Sequence, residues 1–182
     1  MAPKSSGFTL VELLIALAVA ATLAALAAPS FHRTVLRTRI VATTNALAQA
    51  LHVARQTAAT TGRYVALCAG DQQGGCTGDW TGGRWIVFVD GHHDGVLGDG
   101  EQIVLSGAGQ RGVELSGNGP FRKAVEFTPL GVPRWPSGAF GAGRLRACVE
   151  FDGSAKVSEL VLSATGRVRI EHQDAEAPCS AL

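Results

Sequence analysis

The chain has 182 residues, a formal net charge of +1 and 46% hydrophobic residues. The near-neutral charge by itself points to neither a nucleic-acid nor an acidic partner, and the 6% aromatic content argues against a stacking platform for single-stranded nucleic acid. The five histidines form no recognisable motif with a nucleophile or a metal-binding partner, so we predict no enzyme and no cofactor. The length suits one domain carried on a long helix.

An apolar stretch from Phe8 to Ala28 dominates the N-terminal part of the chain. At about 1.5 Å per residue a helix of this length reaches roughly 30 Å, the thickness of a bilayer core, so we predict a membrane-spanning helix. Glu12 is the one full charge inside it. A secretory signal peptide cleaved after Ala27 and an ordinary signal anchor are the alternatives, but neither explains a carboxylate that is costly in the membrane.

From Phe31 to about Thr61 the spacing of apolar residues predicts that the helix continues, with one apolar stripe. The stripe consists of Leu36, Ile40, Thr44, Leu47, Leu51, Ala54 and Ala58. Gly62 is a plausible helix stop. We expect the stripe to pack against a sheet.

Beyond Gly62, short apolar runs alternate with glycine-rich turns, which indicates an antiparallel β head. The predicted strands are Arg63–Cys68, Arg84–Val89, Gln102–Leu105, Ala124–Phe127, Leu145–Phe151, Glu159–Leu162 and Arg167–Ile170. Neither a second domain nor a solenoid repeat is visible. The predicted fold class is therefore α+β, with one long N-terminal helix, membrane-spanning in its first half, packed on an antiparallel sheet.

The four cysteines all lie beyond the membrane segment, and no Cys-x-x-Cys motif occurs. An even number in an oxidising compartment favours disulfides over a redox or zinc site. Three pairings are formally possible, and we prefer Cys68 with Cys76 and Cys148 with Cys179. The first would close a short glycine-rich loop, and the second would tie down the C-terminal tail.

The segment from Asp90 to Glu101 partly matches a twelve-residue calcium loop, with acids at its first, fifth and twelfth positions and glycine at its sixth. His92 at the third position departs from the pattern, because calcium prefers oxygen ligands. The flanking residues are predicted strands rather than helices. We therefore favour an ordinary turn and predict no metal site.

The run from Gly7 to Glu12, followed by the long apolar helix, resembles the processing site of type IV prepilins and type II secretion pseudopilins. The resemblance implies that a prepilin peptidase cuts after Gly7 and methylates the new amino terminus of Phe8. It also implies that Glu12 pairs with the amino terminus of a neighbouring subunit, which fits the need of a buried charge for a partner. Pro29 falls where pilins carry a helix-kinking proline.

The head resembles the GspH/FimT group of minor pseudopilins and minor pilins, and four stretches carry the resemblance. These are 80–90, the glycine-acid turns at 94–95 and 100–101, and 165–169. The implied fold is type IV pilin-like. The implied function is that of a structural subunit of a type II secretion pseudopilus or a type IV pilus, at or near the filament tip, with other pilins or pseudopilins as partners.

The resemblance also implies a division of the chain and a location. Residues 1–7 would be the prepilin leader, 8–30 the transmembrane and assembly helix, 31–62 its amphipathic continuation and 63–182 a periplasmic head. The protein would cross the cell inner membrane once, with its head in the periplasm, or stand in an extracellular pilus.

A basic strand face suggests an alternative function. The alternation of side chains along a strand places Arg167 and Arg169 on one face, and Arg144 and Arg146 repeat the arrangement. Such a face would contact phosphates weakly, without reading sequence and with strong salt dependence. The FimT branch uses a C-terminal Gly-Arg-x-Arg motif to bind DNA during natural transformation, and Arg167 and Arg169 match it. The resemblance therefore also implies a minor pilin that binds double-stranded DNA.

Two further interpretations of these features stay open. Arginines are common on exposed strand faces, and Glu150 and Glu171 would neutralise these. A membrane-tethered periplasmic binding domain outside any filament is the contrasting class of protein.

Overall fold

The computed structural model describes residues 8–135, 137–151, 153–175 and 178–179. Two compact units divide the chain, one ending at Leu36 and the other beginning at Arg37. A single helix, α1 (Leu10–Thr61), belongs to both. The strands are β1 (Val65–Asp71), β2 (Gly75–Cys76), β3 (Arg84–Val89), β4 (Ile103–Ala108), β5 (Glu114–Gly117), β6 (Ala124–Phe127), β7 (Pro133–Arg134), β8 (Gly143–Phe151), β9 (Ser154–Leu162) and β10 (Val168–Ala175).

The first unit is the N-terminal part of α1. Its large apolar side chains from Phe8 to Leu23 are all exposed, from 82% at Phe8 to 52% at Val19. This part of α1 is long and apolar enough, by length and composition, to cross a membrane. The helix continues through Pro29, whose side chain lies outside the described residues. A helix that is apolar all round must be covered by lipid or by other helices.

In the second unit, the remainder of α1 packs on the head through the predicted stripe. The buried side chains of this part include Ile40, Leu47, Ala50, Leu51, Ala54 and Ala58. The buried hydroxyl of Thr44 is satisfied within the helix, because it donates to the carbonyl oxygen of Ile40 at 2.7 Å. Gly62 ends the helix in the left-handed region at φ 66°, where glycine is favoured.

The head contains two antiparallel sheets. The first has the order β4-β3-β1-β6-β7, with β2 paired to the end of β1, and the second has the order β10-β9-β8-β5. The residues of β1 from Val65 to Gly70 are all buried, as are those of β3 from Trp85 to Val89, because both strands are covered on both faces. The largest fully buried side chains of the head include Trp85, Phe88, Phe121 and Phe127.

Each of the seven predicted strands overlaps an observed one, and three further strands were missed. β2 and β7 have two residues each, and β5 buries only Leu115, so none has the apolar run on which the prediction depended. The division into two sheets was not predicted either, because strand partners are set by contacts distant in sequence.

Candidate functional site

The start of α1 holds Glu12 in a reciprocal cap with Thr9. One carboxylate oxygen of Glu12 accepts hydrogen bonds from the backbone N–H of Thr9 at 3.0 Å and from its hydroxyl at 2.9 Å. The Thr9 hydroxyl oxygen accepts in turn from the backbone N–H of Glu12 at 3.2 Å. This is a capping box. It was not predicted, although Thr-x-x-Glu before an apolar run is its signature.

Glu12 is therefore a carboxylate on an otherwise apolar helix surface, satisfied in the isolated subunit by its own helix terminus. Phe8 beside it is 82% exposed, and Gly7 lies outside the described residues. The negative charge stands where the positive end of the helix dipole favours it. A cationic amino terminus close to this point would find a carboxylate already in place.

Three of the four predicted arginines occupy one region of the second sheet. Arg144 of β8 and Arg169 of β10 both pair in register with Val161 of β9, so they lie on either side of it on one face. Arg146 follows Arg144 by two residues in β8, so it lies on the same face, where it pairs in register with Glu159 of β9. The structure thus brings Arg144, Arg146 and Arg169 together across three strands.

Acidic side chains neutralise these three arginines. The most buried of these acids, Glu159, was not predicted as their partner. Glu159 is 4% exposed and accepts from Arg144 at 2.7 Å and from Arg146 at 2.8 Å. Burial alone would raise the pKa of Glu159, but the two arginine hydrogen bonds and charges outweigh it and lower the pKa. Glu171 contacts Arg169 at 3.2 Å. The result is a chain of alternating charges across the face.

The predicted partner Glu150 plays a different role, because its carboxylate accepts a hydrogen bond from the backbone N–H of Cys179. Glu159 was overlooked because in the sequence it is only the first residue of a predicted apolar strand. Pairing across strands, which the sequence does not state, makes it the acid between two arginines.

Arg167 differs from the other three arginines. It is exposed and makes no ion pair with any described residue. Its backbone N–H donates to the Ser163 hydroxyl at 3.0 Å, which fixes the turn between β9 and β10. Of the four, Arg167 is the cation most available to an anionic partner.

The structure contains the two disulfides preferred from the sequence. Cys68 and Cys76 join β1 to β2, and Cys148 joins β8 to Cys179 in the C-terminal tail. Cys179 packs on a cluster of buried side chains in the second sheet. That cluster is Cys148, Ala155 and Val157. The tail is therefore held on the same sheet face as the charge chain, a few residues away.

The loop after β3 is organised by its own acids. Asp90 is 1% exposed, and its carboxylate accepts from the backbone N–H groups of His93 at 2.7 Å and Gly95 at 2.9 Å. Glu101 accepts from two further backbone N–H groups of the loop, at 2.7 and 2.9 Å. Among the described residues, no group of three or more His, Cys, Asp or Glu side chains could hold a metal ion. The loop is a hydrogen-bonded turn.

A buried acid lies beneath this loop. Glu126 of β6 is 2% exposed, and its carboxylate lies 3.3 Å from Nδ1 of His93, whose ring packs edge-on against Tyr64. Burial raises the pKa of Glu126, and the nearby charges of Asp90 and Asp94 raise it further, although the hydrogen bond to His93 opposes them.

We expect the stability of the protein to depend on pH through Glu126. A carboxyl whose pKa is raised in the folded state contributes stability below its ordinary pKa of 4.5, and that contribution is lost as the pH rises through the folded pKa. Glu126→Gln removes this dependence. The melting temperature of the variant relative to the native chain should therefore be higher at pH 8 than at pH 4.5, measured by circular dichroism. A difference that is the same at both pH values would contradict this.

A long apolar helix whose C-terminal part packs on an antiparallel head is the architecture of type IV pilin-like filament subunits. The chain is similar in fold to the type IV minor pilin FimU of Pseudomonas aeruginosa (strain PAO1), whose crystal structures in space groups P21 and P65 each give a TM-score of 0.51. The identities are 20% and 19%, over 79% and 71% of this chain and 92% and 90% of FimU. Comparison with curated protein sequences gives no match.

Two family models match the chain. The one described as the prokaryotic N-terminal methylation motif covers residues 3–28, and the one described as type II transport protein GspH covers residues 43–166. The chain belongs to the GspH family. It is a minor pilin or pseudopilin, and the members of this family are structural filament subunits that assemble with other pilins.

Proposed function

We propose that the protein is made as a prepilin, cut after Gly7 by prepilin peptidase and methylated on Phe8, and that Glu12 then carries it into a filament. The observation that supports this most directly is the single carboxylate on the exposed apolar N-terminal part of α1. In the filament, Glu12 would neutralise the amino terminus of a neighbouring subunit, because two charges moved into an apolar core are tolerated only as a pair.

Each segment of the chain then has its own location relative to the membrane. The leader 1–7 lies in the cytoplasm, 8–30 spans the inner membrane, 31–62 continues the helix and 63–182 forms the periplasmic head. Pro29 would bend the helix when subunits pack. The filament is a type II secretion pseudopilus or a type IV pilus. A place at or near its tip rests on the likeness to minor pilins.

Mass spectrometry of the mature chain tests this proposal directly. Co-expression with a prepilin peptidase should yield a chain that begins at N-methylated Phe8. Gly7→Val should leave the chain unprocessed, because a branched side chain at the cleavage position blocks access. An intact Met1, or cleavage after Ala27, would overturn the proposal.

Binding of double-stranded DNA is a second candidate function, supported by the exposure of Arg167 without an ion-pair partner among the described residues. Arg169 and Arg144 lie on either side of β9 and both contact Glu171, and Arg144 also pairs with Glu159. DNA phosphates would have to compete with these carboxylates. The binding should therefore be weak and depend chiefly on Arg167.

We expect Arg167→Gln with Arg169→Gln to abolish retardation of double-stranded DNA by the full chain in detergent at low salt. Any residual binding, measured by fluorescence anisotropy, should show a slope of log affinity against log salt that is shallower by about 2, because two cations that would face phosphates are removed. Arg111→Gln, which removes an exposed arginine at the opposite end of the head, is the matched control and should change little. An unchanged gel shift in the double variant would exclude DNA binding through this motif.

A further inference from the structure

The exposed apolar side chains of the head are gathered at one end of its first sheet. Among the described residues beyond position 41, the large apolar side chains that are exposed are Val96 (51%), Leu130 (85%) and Phe140 (65%). Single exposed apolar residues need no explanation, but a group of them marks an interaction site.

The strand register explains why the loops that carry Val96 and Leu130 lie at the same end of the sheet. β3 ends at Val89 and β6 ends at Phe127, and both residues pair with Val65 at the start of β1. The loop that follows β3 and the loop that follows β6 therefore leave the same end of the sheet. Val96 lies in the first loop and Leu130 in the second.

Phe140 and the turn that carries Arg167 extend this end. Phe140 forms a bridge with Arg134, whose guanidinium lies 4.7 Å from the centre of the phenyl ring. Gly166 approaches so closely that a Cβ on it would lie 2.9 Å from the carbonyl oxygen of Gly131. The second loop and the turn therefore adjoin each other, and His93 holds the first loop against Glu126 of β6, the strand that leads into the second loop.

We define the end surface by seven residues in two halves of opposite charge. The acidic half is Asp94, Val96 and Asp99, and the basic half is Leu130, Arg134, Phe140 and Arg167. No Asp or Glu occurs from 128 to 149, so the sequence around Leu130, Arg134 and Phe140 carries no acid of its own. None of the four charged side chains forms an ion pair within the part of the chain that the structure describes.

We propose that the end surface binds the end surface of a second copy of this chain. A contact about a twofold axis brings the same patch of both copies together. If one residue of the first copy contacts another residue of the second, the reverse contact also forms. The acidic half of each copy would face the basic half of the other, and the apolar side chains would be buried between them. A surface with one sign of charge would repel its own copy; this one carries both signs.

The contact has the composition of a specific but modest interface. Aromatic and arginine side chains are enriched in such interfaces, and complementary charge at their rims governs orientation and association rate. Arg134 is already held over Phe140 and by the carbonyl oxygen of Gly138 at 3.2 Å, so little side-chain freedom is lost on binding.

Photo-cross-linking in the full chain tests the proposal. A benzophenone-bearing amino acid in place of Phe140 should join two differently tagged copies in detergent solution. The same amino acid in place of Gln73, at the opposite end of the first sheet, is the control and should join far fewer. Equal cross-linking from both positions would indicate aggregation through the apolar helix and overturn the proposal. Cross-links from position 140 only to added DNA would do the same.

Charge reversal supplies the decisive comparison. Asp94→Lys with Asp99→Lys makes the end surface wholly basic, and Arg134→Glu with Arg167→Glu makes it wholly acidic. Each variant alone should lose about tenfold or more of the cross-linked product, because like charges then face each other. An equal mixture of the two should restore it. That recovery shows that both variants are folded, and its absence would overturn the proposal. Processing after Gly7 is unaffected in either case, so this test and the test of filament function can fail separately.

Discussion

Replacing Glu12 with glutamine is expected to abolish incorporation of the subunit into filaments while leaving its insertion in the membrane intact. Glutamine is uncharged, so it lies in the bilayer at lower cost than a carboxylate. It cannot, however, neutralise the amino terminus of a neighbouring subunit, and an unpaired buried charge costs several kcal/mol. The measurement is the amount of the subunit in sheared filaments relative to that in the membrane fraction. We expect that ratio to fall by about tenfold or more.

The capping box supplies a matched control. Thr9→Val removes the hydroxyl that donates to Glu12 and accepts from its backbone N–H. It therefore weakens the helix cap, by about 1 kcal/mol, but keeps the carboxylate. If Glu12 acts in assembly, Thr9→Val should enter filaments nearly as well as the native chain. Equal losses in the two variants would mean that Glu12 serves only as a helix cap.

Replacing Trp80 with alanine is expected to destabilise the head by about 3–5 kcal/mol, the usual cost of truncating a buried aromatic side chain. Trp80 is 4% exposed, and its indole N–H donates to the carbonyl oxygen of Phe121 at 2.7 Å. Gly117 of β5 passes so close that a Cβ there would lie 3.1 Å from the indole nitrogen. Trp80 follows β2 of the first sheet and contacts β5 of the second, so it joins the two.

Two other tryptophan variants separate the loss of the indole hydrogen bond from the loss of the buried aromatic ring. Trp80→Phe keeps an aromatic ring but leaves the Phe121 carbonyl without its donor, and should cost about 1–2 kcal/mol. Trp135→Ala, at a half-buried position in a loop, should cost less than Trp80→Ala. Urea unfolding of the full chain in mild detergent, followed by circular dichroism, gives the three values. A loss below about 1 kcal/mol for Trp80→Ala would contradict the role assigned to it.

The strands show which parts of the fold the local pattern of apolar residues predicts. Predicted runs such as Arg84–Val89 and Ala124–Phe127 coincide with β3 and β6. The pattern failed for β5, where a single buried leucine supplies too little signal, and for strands of two residues. It also gave no strand partners, because register depends on residues far apart in the chain.

The charged face of the second sheet also shows the difference between what local pattern predicts and what the structure adds. The alternation of side chains along a strand predicted that Arg167 and Arg169 share one strand face and that Arg144 and Arg146 share another. It did not identify Glu159 as their main partner, since that pairing runs across strands at separations of 15 and 13 residues. Of these four arginines, the structure therefore leaves only Arg167 without an ion pair to a described residue.

The sequence by itself determined the features that depend on neighbouring residues. These are the processing motif from Gly7 to Glu12, the apolar helix and most of the strands. The cysteine pairing was preferred on the same local grounds. Only the tertiary structure decided which side chains come together: Glu159 between two arginines, Trp80 between two sheets, and Val96 and Leu130 at one end of the head. The physical reason is that helix and strand patterns follow from local periodicity, whereas these contacts follow from a register that the whole core sets at once.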